Sequence, residues 1–169
     1  MARLLEYQGK AILAKHGIGV PRGGAARTEK EARAVAAGLG GEVVVKIQAW
    51  TTGRAGIGGV AFAKTAEEAA SAAGRMLGMK VGEFAVESVL VEEKLEIARE
   101  LFVSLTIDDR ARAPVILFAG AGGSGIEERA KEAARLACDV VRGPDAGAVT
   151  SAVSAARSEE RRVGKECRL

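Results

Sequence analysis

Glu42-Val43-Val44-Val45-Lys46-Ile47-Gln48, then Gly53-Arg54-Ala55-Gly56-Ile57-Gly58-Gly59 and Val60-Ala61-Phe62-Ala63-Lys64, decide how this chain is read. The two flanks are short apolar runs bounded by glycine, the pattern of two buried strands. The glycine-rich loop joins strand to strand. It therefore matches neither the Walker A loop nor the dinucleotide fingerprint, both of which require a following helix. Such a hairpin can still fold its amides over phosphates, because missing side chains let the backbone approach closely. Lys46 lies among valines and isoleucine, where an unpaired charge is costly, so it is expected to point at an anion or a carboxylate. On an edge strand it would face water, the ordinary setting for a strand lysine. The loop that follows, with Arg54 as a second cation at its tip, favours the anion.

Upstream, Leu4, Leu5, Ile12 and Leu13 recur at helical spacing and Gly17 acts as a stop, predicting an amphipathic helix over 3–16. His16 at its end suits the negative pole of the helix dipole, and no catalysis is assigned to it. Thr28-Glu29-Lys30-Glu31 and Thr65-Ala66-Glu67-Glu68 are capping boxes that start helices running to about Leu39 and Leu77. Further strands are expected at Gly23–Arg27, Ser88–Lys94, Glu100–Asp108 and Ala113–Ala119. The order strand, helix, strand, strand, helix, strand makes a split βαβ lobe. Beyond it, Gly120–Gly125 reads as a loop and Glu127–Ala137 as a helix. Gly143-Pro144-Asp145 reads as a break, followed by small residues in weak helical order. Glu92 and Glu100 frame a turn between two strands. Carboxylates there can accept hydrogen bonds from an adenine amino group and ribose hydroxyls, or can simply be exposed on a connection.

Of the 169 residues, 48% are hydrophobic but only 4% aromatic. The core must gain its stability from close packing of alanine, valine and glycine rather than from large rings. The length leaves room for one domain or two small lobes. The net charge of +3, with basic and acidic residues interspersed, argues against nucleic acid as a partner. No apolar run reaches the roughly 18 residues needed to span a bilayer, so no membrane association is expected. The first residues lack the layout of a secretory signal. Cys138 and Cys167, far apart in sequence, form no disulfide or metal framework. These features are expected of a reduced, cytoplasmic protein.

The three elements Lys46, Gly53–Gly59 and Glu92/Glu100 occur in the order found in one family. From Leu4 to about Leu136 the chain resembles the succinyl-CoA synthetase β-subunit family of ATP-grasp ligases. The resemblance is carried by Leu5-Glu6-Tyr7-Gln8, Val44-Val45-Lys46-Ile47-Gln48, Gly53-Arg54, Gly58-Gly59-Val60, Val91-Glu92 and Ile97-Ala98-Arg99-Glu100-Leu101. It implies an α+β, ATP-grasp fold with a split βαβ lid lobe followed by an incomplete second lobe. Residues 1–20 would form a leading helix, 21–105 the lid subdomain and 106–156 the start of the second subdomain.

By the same resemblance, Lys46 binds ATP phosphate, and Gly53, Arg54 and Ala55 belong to the loop that covers the nucleotide. Glu92 contacts the adenine, helped by backbone near Leu95, and Glu100 holds the ribose. The usual family loop reads Gly-Arg-Gly-Lys-Ala-Gly-Gly; here Ala55, Gly56 and Ile57 replace its middle and its lysine is missing. The implied reaction, a step of the tricarboxylic acid cycle, turns an acid, CoA and ATP into acyl-CoA, ADP and phosphate. It passes through a phosphohistidine on a partner α subunit. Magnesium would bridge the ATP phosphates, with ligands further along than this sequence extends. No catalytic residue or metal ligand is assigned within the chain, which alone is expected to be inactive and to bind ATP weakly. Two alternatives stand beside this reading: an ATP-grasp ligase for another acid such as malate or citrate, and a non-catalytic split-βαβ binding module.

Residues 157–169 differ from all that precedes them. They carry no apolar period, and without them the net charge falls from +3 to +1. A solvated helix end is the ordinary reading of such a charge run. The peptide also looks like a translated sequencing adaptor, so 157–169 is expected to be a non-native tail.

Overall fold

The computed structural model describes residues 3–51, 53–120, 122 and 133–166, in two compact units, Met1–Glu96 and Ile97–Leu169. The first unit opens with α1 (Glu6–Lys15), β1 (Gly23–Ala26), α2 (Glu29–Leu39), β2 (Val43–Ile47) and β3 (Val60–Ala63). It continues with α3 (Ala66–Met76), the two-residue strands β4 (Lys80–Val81) and β5 (Phe84–Ala85), and β6 (Val89–Glu93). Both capping threonines act as expected: Thr28 Oγ1 and Thr65 Oγ1 each accept from the backbone N–H three residues on, at 3.1 Å. Each glutamate reaches one residue further back than a reciprocal box requires. Arg27 N and Lys64 N donate to the Glu31 and Glu68 carboxylates at 2.6 and 2.7 Å.

The four longer strands form an antiparallel sheet in the order β1-β6-β2-β3. β1 and β2, linked by α2, are split by β6; β3 and β6, linked by α3, are split by β2. This is the split βαβ arrangement read from the element order. Side chains alternate across the sheet. Val43, Val45, Ile47, Val89 and Val91 form the face that packs with Ala32, Ala36, Ala69, Ala72, Ala73 and Met76 of α2 and α3. Small helix residues against β-branched strand residues give the close, ring-poor core that the composition demands. The opposite face carries Val44, Lys46, Leu90 and Glu92, set by the register Val44↔Glu92 and Lys46↔Leu90.

α1 forms where the sequence predicts it, yet buries none of its residues. Leu4, Ile12 and Leu13 are 57%, 45% and 43% exposed. The expected apolar contacts are therefore not what attaches this helix; its charged residues Glu6 and Lys10 do so. The β4–β5 hairpin, at Gly82 with φ +60°, was not anticipated, since two-residue strands carry no readable period.

The second unit contains β7 (Phe102–Asp108), β8 (Ala113–Ala119), β9 (Ala134–Asp139), β10 (Gly143–Pro144) and α4 (Ala146–Glu166), with the sheet ordered β10-β9-β8-β7. β7 and β8 are the hairpin expected from sequence. The predicted helix Glu127–Ala137 is corrected at its end: Ala134–Ala137 lie in β9, and 127–132 fall outside the described residues. Pairing with β8 supplies a full ladder and overrides the helix preference of Ala-Arg-Leu-Ala. Leu136 and Cys138 are half-buried while Arg135, Ala137 and Asp139 are exposed, a strand period. Gly143-Pro144, expected as a break, pairs with Cys138 and Asp139. Position 52 and most of the 120–125 loop also lie outside the described residues. The backbone of 157–166 continues α4 as a helix.

Candidate functional site

Lys46 sits on β2, an interior strand of its sheet, so the edge-strand alternative does not apply. Its Nζ lies 3.0 Å from Glu92 Oε2 on β6 and 3.3 Å from Glu6 Oε1 on α1. Glu92 is only 2% exposed. A carboxylate so buried must be paired, and two lysines pair it: Lys10 Nζ contacts both its oxygens at 2.5 and 2.7 Å, and Lys46 adds a third contact. Gly23 makes this possible from β1. It stands opposite Glu92 in register, and a Cβ there would collide with Val91 O and approach Glu92 Cα to 2.8 Å.

The loop after β2 folds into one 3-10 turn, Arg54–Ile57, entered at Gly53 and left at Gly58 with φ +64° and +75°. Glycine is required there because L side chains resist the left-handed region. Gly56 N, Gly58 N and Gly59 N donate to Gly53 O, Ala55 O and Arg54 O at 2.9, 3.1 and 2.8 Å. Those three amides are engaged within the turn. The turn also delivers a side chain. Arg54 NH1 reaches Glu6 Oε2 at 2.7 Å and Ile47 O at 3.3 Å.

Three cations, Lys10, Lys46 and Arg54, thus converge on two carboxylates, Glu6 and Glu92. Burial alone would raise the Glu6 carboxyl. The hydrogen bond from Lys10, the charge of Lys46 and the contacts from Arg54 outweigh it and bring the group down to about 2. Burial likewise opposes charge on Lys10, but Glu6 and Glu92 raise its ammonium above the usual value. Beside the cluster opens a cleft of about 710 Å³, lined among others by Leu4, Leu5, Glu6, Ala49, Trp50 and Arg54. Lys46 does not line it; Glu6, which touches Lys46, does.

Of the residues singled out from sequence, Lys46, Arg54 and Glu92 meet in one cluster, with Gly53 and exposed Ala55 in the adjoining turn. Leu95 is exposed on the chain leaving β6. Glu100 belongs to the second unit and is exposed there, its carbonyl accepting from Gly122 N at 3.0 Å. Sequence reasoning missed Glu6 and Lys10 as site residues. Their i, i+4 spacing put them on one side of α1 (they are 2.8 Å apart), which was the available signal. Among the described residues no group of three or more His, Cys, Asp or Glu side chains is arranged to hold a metal ion. Among the described residues no helix is long and apolar enough to cross a membrane.

Residues 3–160 match the ATP-grasp domain family. The chain is 44% identical over 128 residues to the beta subunit of ADP-forming succinate–CoA ligase from Rubrobacter xylanophilus, covering 76% of this chain and 33% of that protein. The beta 1 subunit of the same ligase from Archaeoglobus fulgidus is 46% identical over 126 residues, covering 75% and 33%. The chain thus spans about a third of the length of these curated relatives. Among solved structures it resembles the dinucleotide forming acetyl-coenzyme A synthetase 1 of Ca. Korarchaeum cryptofilum in complex with coenzyme A, Ca-AMPCP and HgCl+. That likeness has a TM-score of 0.62 at 27% identity, over 75% of this chain and 57% of the other. ATP citrate lyase from Methanothrix soehngenii, with citrate and coenzyme A, shares the fold: TM-score 0.64, 19% identity, 83% of this chain and 35% of that one.

Proposed function

This chain belongs to the ATP-grasp family, and on that premise we propose that it is the ATP-binding part of an acid–CoA ligase β subunit. The reaction is acid, CoA and ATP to acyl-CoA, ADP and phosphate, with succinate as the acid by analogy with the relatives' names. The observation that carries this reading is the convergence of Lys46 and Arg54 on one carboxylate at the edge of an open cleft. Two cations spaced to share one anionic group suit a polyphosphate, whose charge they neutralise and whose orientation they fix. Gly53 and Ala55 shape the turn that aims Arg54. Glu92 serves first as the counter-ion that holds Lys46 and Lys10 in place. For Glu92 to contact adenine, one of its oxygens must exchange a lysine for the base.

Leu95 backbone and Glu100 are assigned to the adenine and the ribose on the resemblance alone. The described residues supply no magnesium site, so no step is routed through the metal. Its ligands, the CoA site and the surface for an α subunit carrying the phosphohistidine are assigned to the length that the relatives have in addition. Residues 21–105 are assigned to the lid, 106–156 to the start of the second subdomain and 157–169 to a non-native tail. Resequencing across codon 156 tests the tail. A cytoplasmic location follows from the same ligase reading.

The test is kinetic. In the complete ligase with its partner subunit, K46A and R54A are expected to lower kcat/KM for ATP by about 10- to 100-fold each, the worth of a charge-assisted phosphate contact. Lys10 still pairs Glu92 in K46A, so the variant keeps its buried carboxylate satisfied. Unchanged ATP kinetics in both variants would rule the reading out in favour of a non-catalytic module. A panel of succinate, malate, citrate and acetate then fixes the acid.

A further inference from the structure

Glu6 occupies the one place where Lys46 and Arg54 meet. Its Oε1 faces Lys46 Nζ at 3.3 Å and Lys10 Nζ at 2.8 Å, and its Oε2 faces Arg54 NH1 at 2.7 Å. It lines the cleft while Lys46 does not, so an anion entering from the cleft meets Glu6 before Lys46. The helix that carries Glu6 adds no residue to the apolar core. None of its residues is buried, and cavities of about 360 and 260 Å³ flank it where Tyr7 faces Gln48 and where Lys10 and Ala14 face Gly23 and Gly24. Its ties to the sheet are polar: Lys10 to Glu92, Tyr7 N to Gln48 Oε1 at 3.2 Å, and Glu6 to Lys46 and Arg54.

We propose that Glu6 is the resident occupant of the anion seat formed by Lys46 and Arg54, so that a polyphosphate binds there by displacing the Glu6 carboxylate and loosening α1. This rests on the reading of Lys46 and Arg54 as phosphate cations. The cluster with Glu6 in place holds three cations against two carboxylates. With Glu6 swung away, a phosphate meets Lys46 and Arg54 directly, while Lys10 still satisfies Glu92. Glu6 therefore sets both the affinity of the seat and the coupling between anion binding and the leading helix. It acts as a competitor held by the chain itself, at the high local concentration that tethering gives.

The experiment uses inorganic tripolyphosphate as the probe, which has the charge of a nucleotide tail and no base. Binding is measured by titration calorimetry on the full chain, its Glu6→Gln, Lys46→Ala and Arg54→Ala variants, and hydrogen exchange of α1 is followed with and without the probe. Glu6→Gln keeps the shape and one acceptor oxygen while removing the competing charge. It is expected to tighten tripolyphosphate about fivefold, the scale of a partly exposed ion pair. In the unaltered chain the α1 amides are expected to lose protection when the probe is added, an effect that a merely structural Glu6 would not produce. If Lys46→Ala and Arg54→Ala weaken the probe but Glu6→Gln does not tighten it and α1 protection is unmoved, the proposal is wrong and the phosphate seat stands. If neither cation variant weakens the probe, the seat itself fails and the proposal falls with it.

Discussion

The two units of this chain treat their apolar residues differently. In the first, one sheet face is closed by the alanine sides of α2 and α3, and Val43, Val45, Ile47, Val89, Val91 and Met76 are all at most 3% exposed. In the second, among the described residues, only Val115, Phe118 and Ala133 are buried hydrophobics. Edge strand β7 shows Val103, Leu105 and Ile107, one side of its alternation, at 61% to 66% exposure, and Leu101 just before it is 52% exposed. The difference teaches where this chain stores its stability and why its charges matter. A closed core fixes β2 and β6 rigidly enough to hold Lys46 and Glu92 within hydrogen-bonding distance on the opposite face. The β7–β8–β9 sheet has the hydrogen-bond ladder of a fold but little enclosed volume.

The largest effect that tests this contrast is a cavity in the closed core. Met76→Ala removes a side chain that is 3% exposed on α3 and is expected to cost about 2–4 kcal/mol. Urea unfolding followed by tryptophan fluorescence measures it cleanly, because the single tryptophan, Trp50, belongs to the first unit. A loss below about 1 kcal/mol would mean the core is not closed as described. Next comes Gly23→Ala, whose Cβ would collide with Val91 O and crowd Glu92 Cα at 2.8 Å. Since the obstacle is backbone, overpacking of about 1–3 kcal/mol is expected. The change should also disturb the Lys10–Glu92 contact, visible as altered Lys10 resonances by NMR.

The strand–loop–strand pattern around Lys46 is local, so the split βαβ sheet, both capped helices and the placing of Arg54 in the loop that follows Lys46 were legible from spacing. Glu6 and Lys10 were not legible as site residues, because a polar pair at i, i+4 is ordinary on any helix. Their meaning comes from Lys46 and Glu92, which lie 40 and 82 positions away in sequence. The apolar period of α1 pointed to the wrong attachment, since charge rather than Leu4, Ile12 and Leu13 ties the helix down. Ala134–Ala137 misled for a different reason: alanine, arginine and leucine favour a helix locally, and only the ladder with β8 makes them a strand. The closing of the glycine loop on itself likewise depends on three hydrogen bonds that composition does not specify.

A smaller effect concerns the polar attachment that the closed core supports. Glu6 has its carboxyl lowered from 4.5 to about 2. A carboxyl that is more acidic folded than unfolded contributes stability above its unfolded value, and that contribution is lost as pH falls through the folded one. The gap in stability between the unaltered chain and Glu6→Gln should therefore be constant above pH 4.5, at about 1 kcal/mol for a partly exposed cluster. It should shrink between 4.5 and about 2. Parallel acid-unfolding curves that keep a constant gap down to the lower limit would show that Glu6 is not charged in the cluster. Lys10 has the opposite sign: its raised value means its contribution is complete below 10.5 and is lost as pH rises from there through the raised value.

The smallest expected effect on stability falls on the open face. Leu105 is 66% exposed on β7, so Leu105→Thr removes few contacts and should change unfolding free energy by less than about 0.5 kcal/mol. Threonine, β-branched, suits a strand. What should change is association, because a flat apolar edge strand is a template for pairing with another chain. Val103→Thr and Ile107→Thr, on the same side of the strand, should act alike, and the triple variant should show the clearest rise in the monomer fraction by sedimentation velocity. If Leu105→Thr instead cost as much as Met76→Ala, the face would be covered in solution and the contrast between the two units would collapse. A near-null stability effect with a large change in association keeps it, and separates what holds this chain folded from what it leaves exposed.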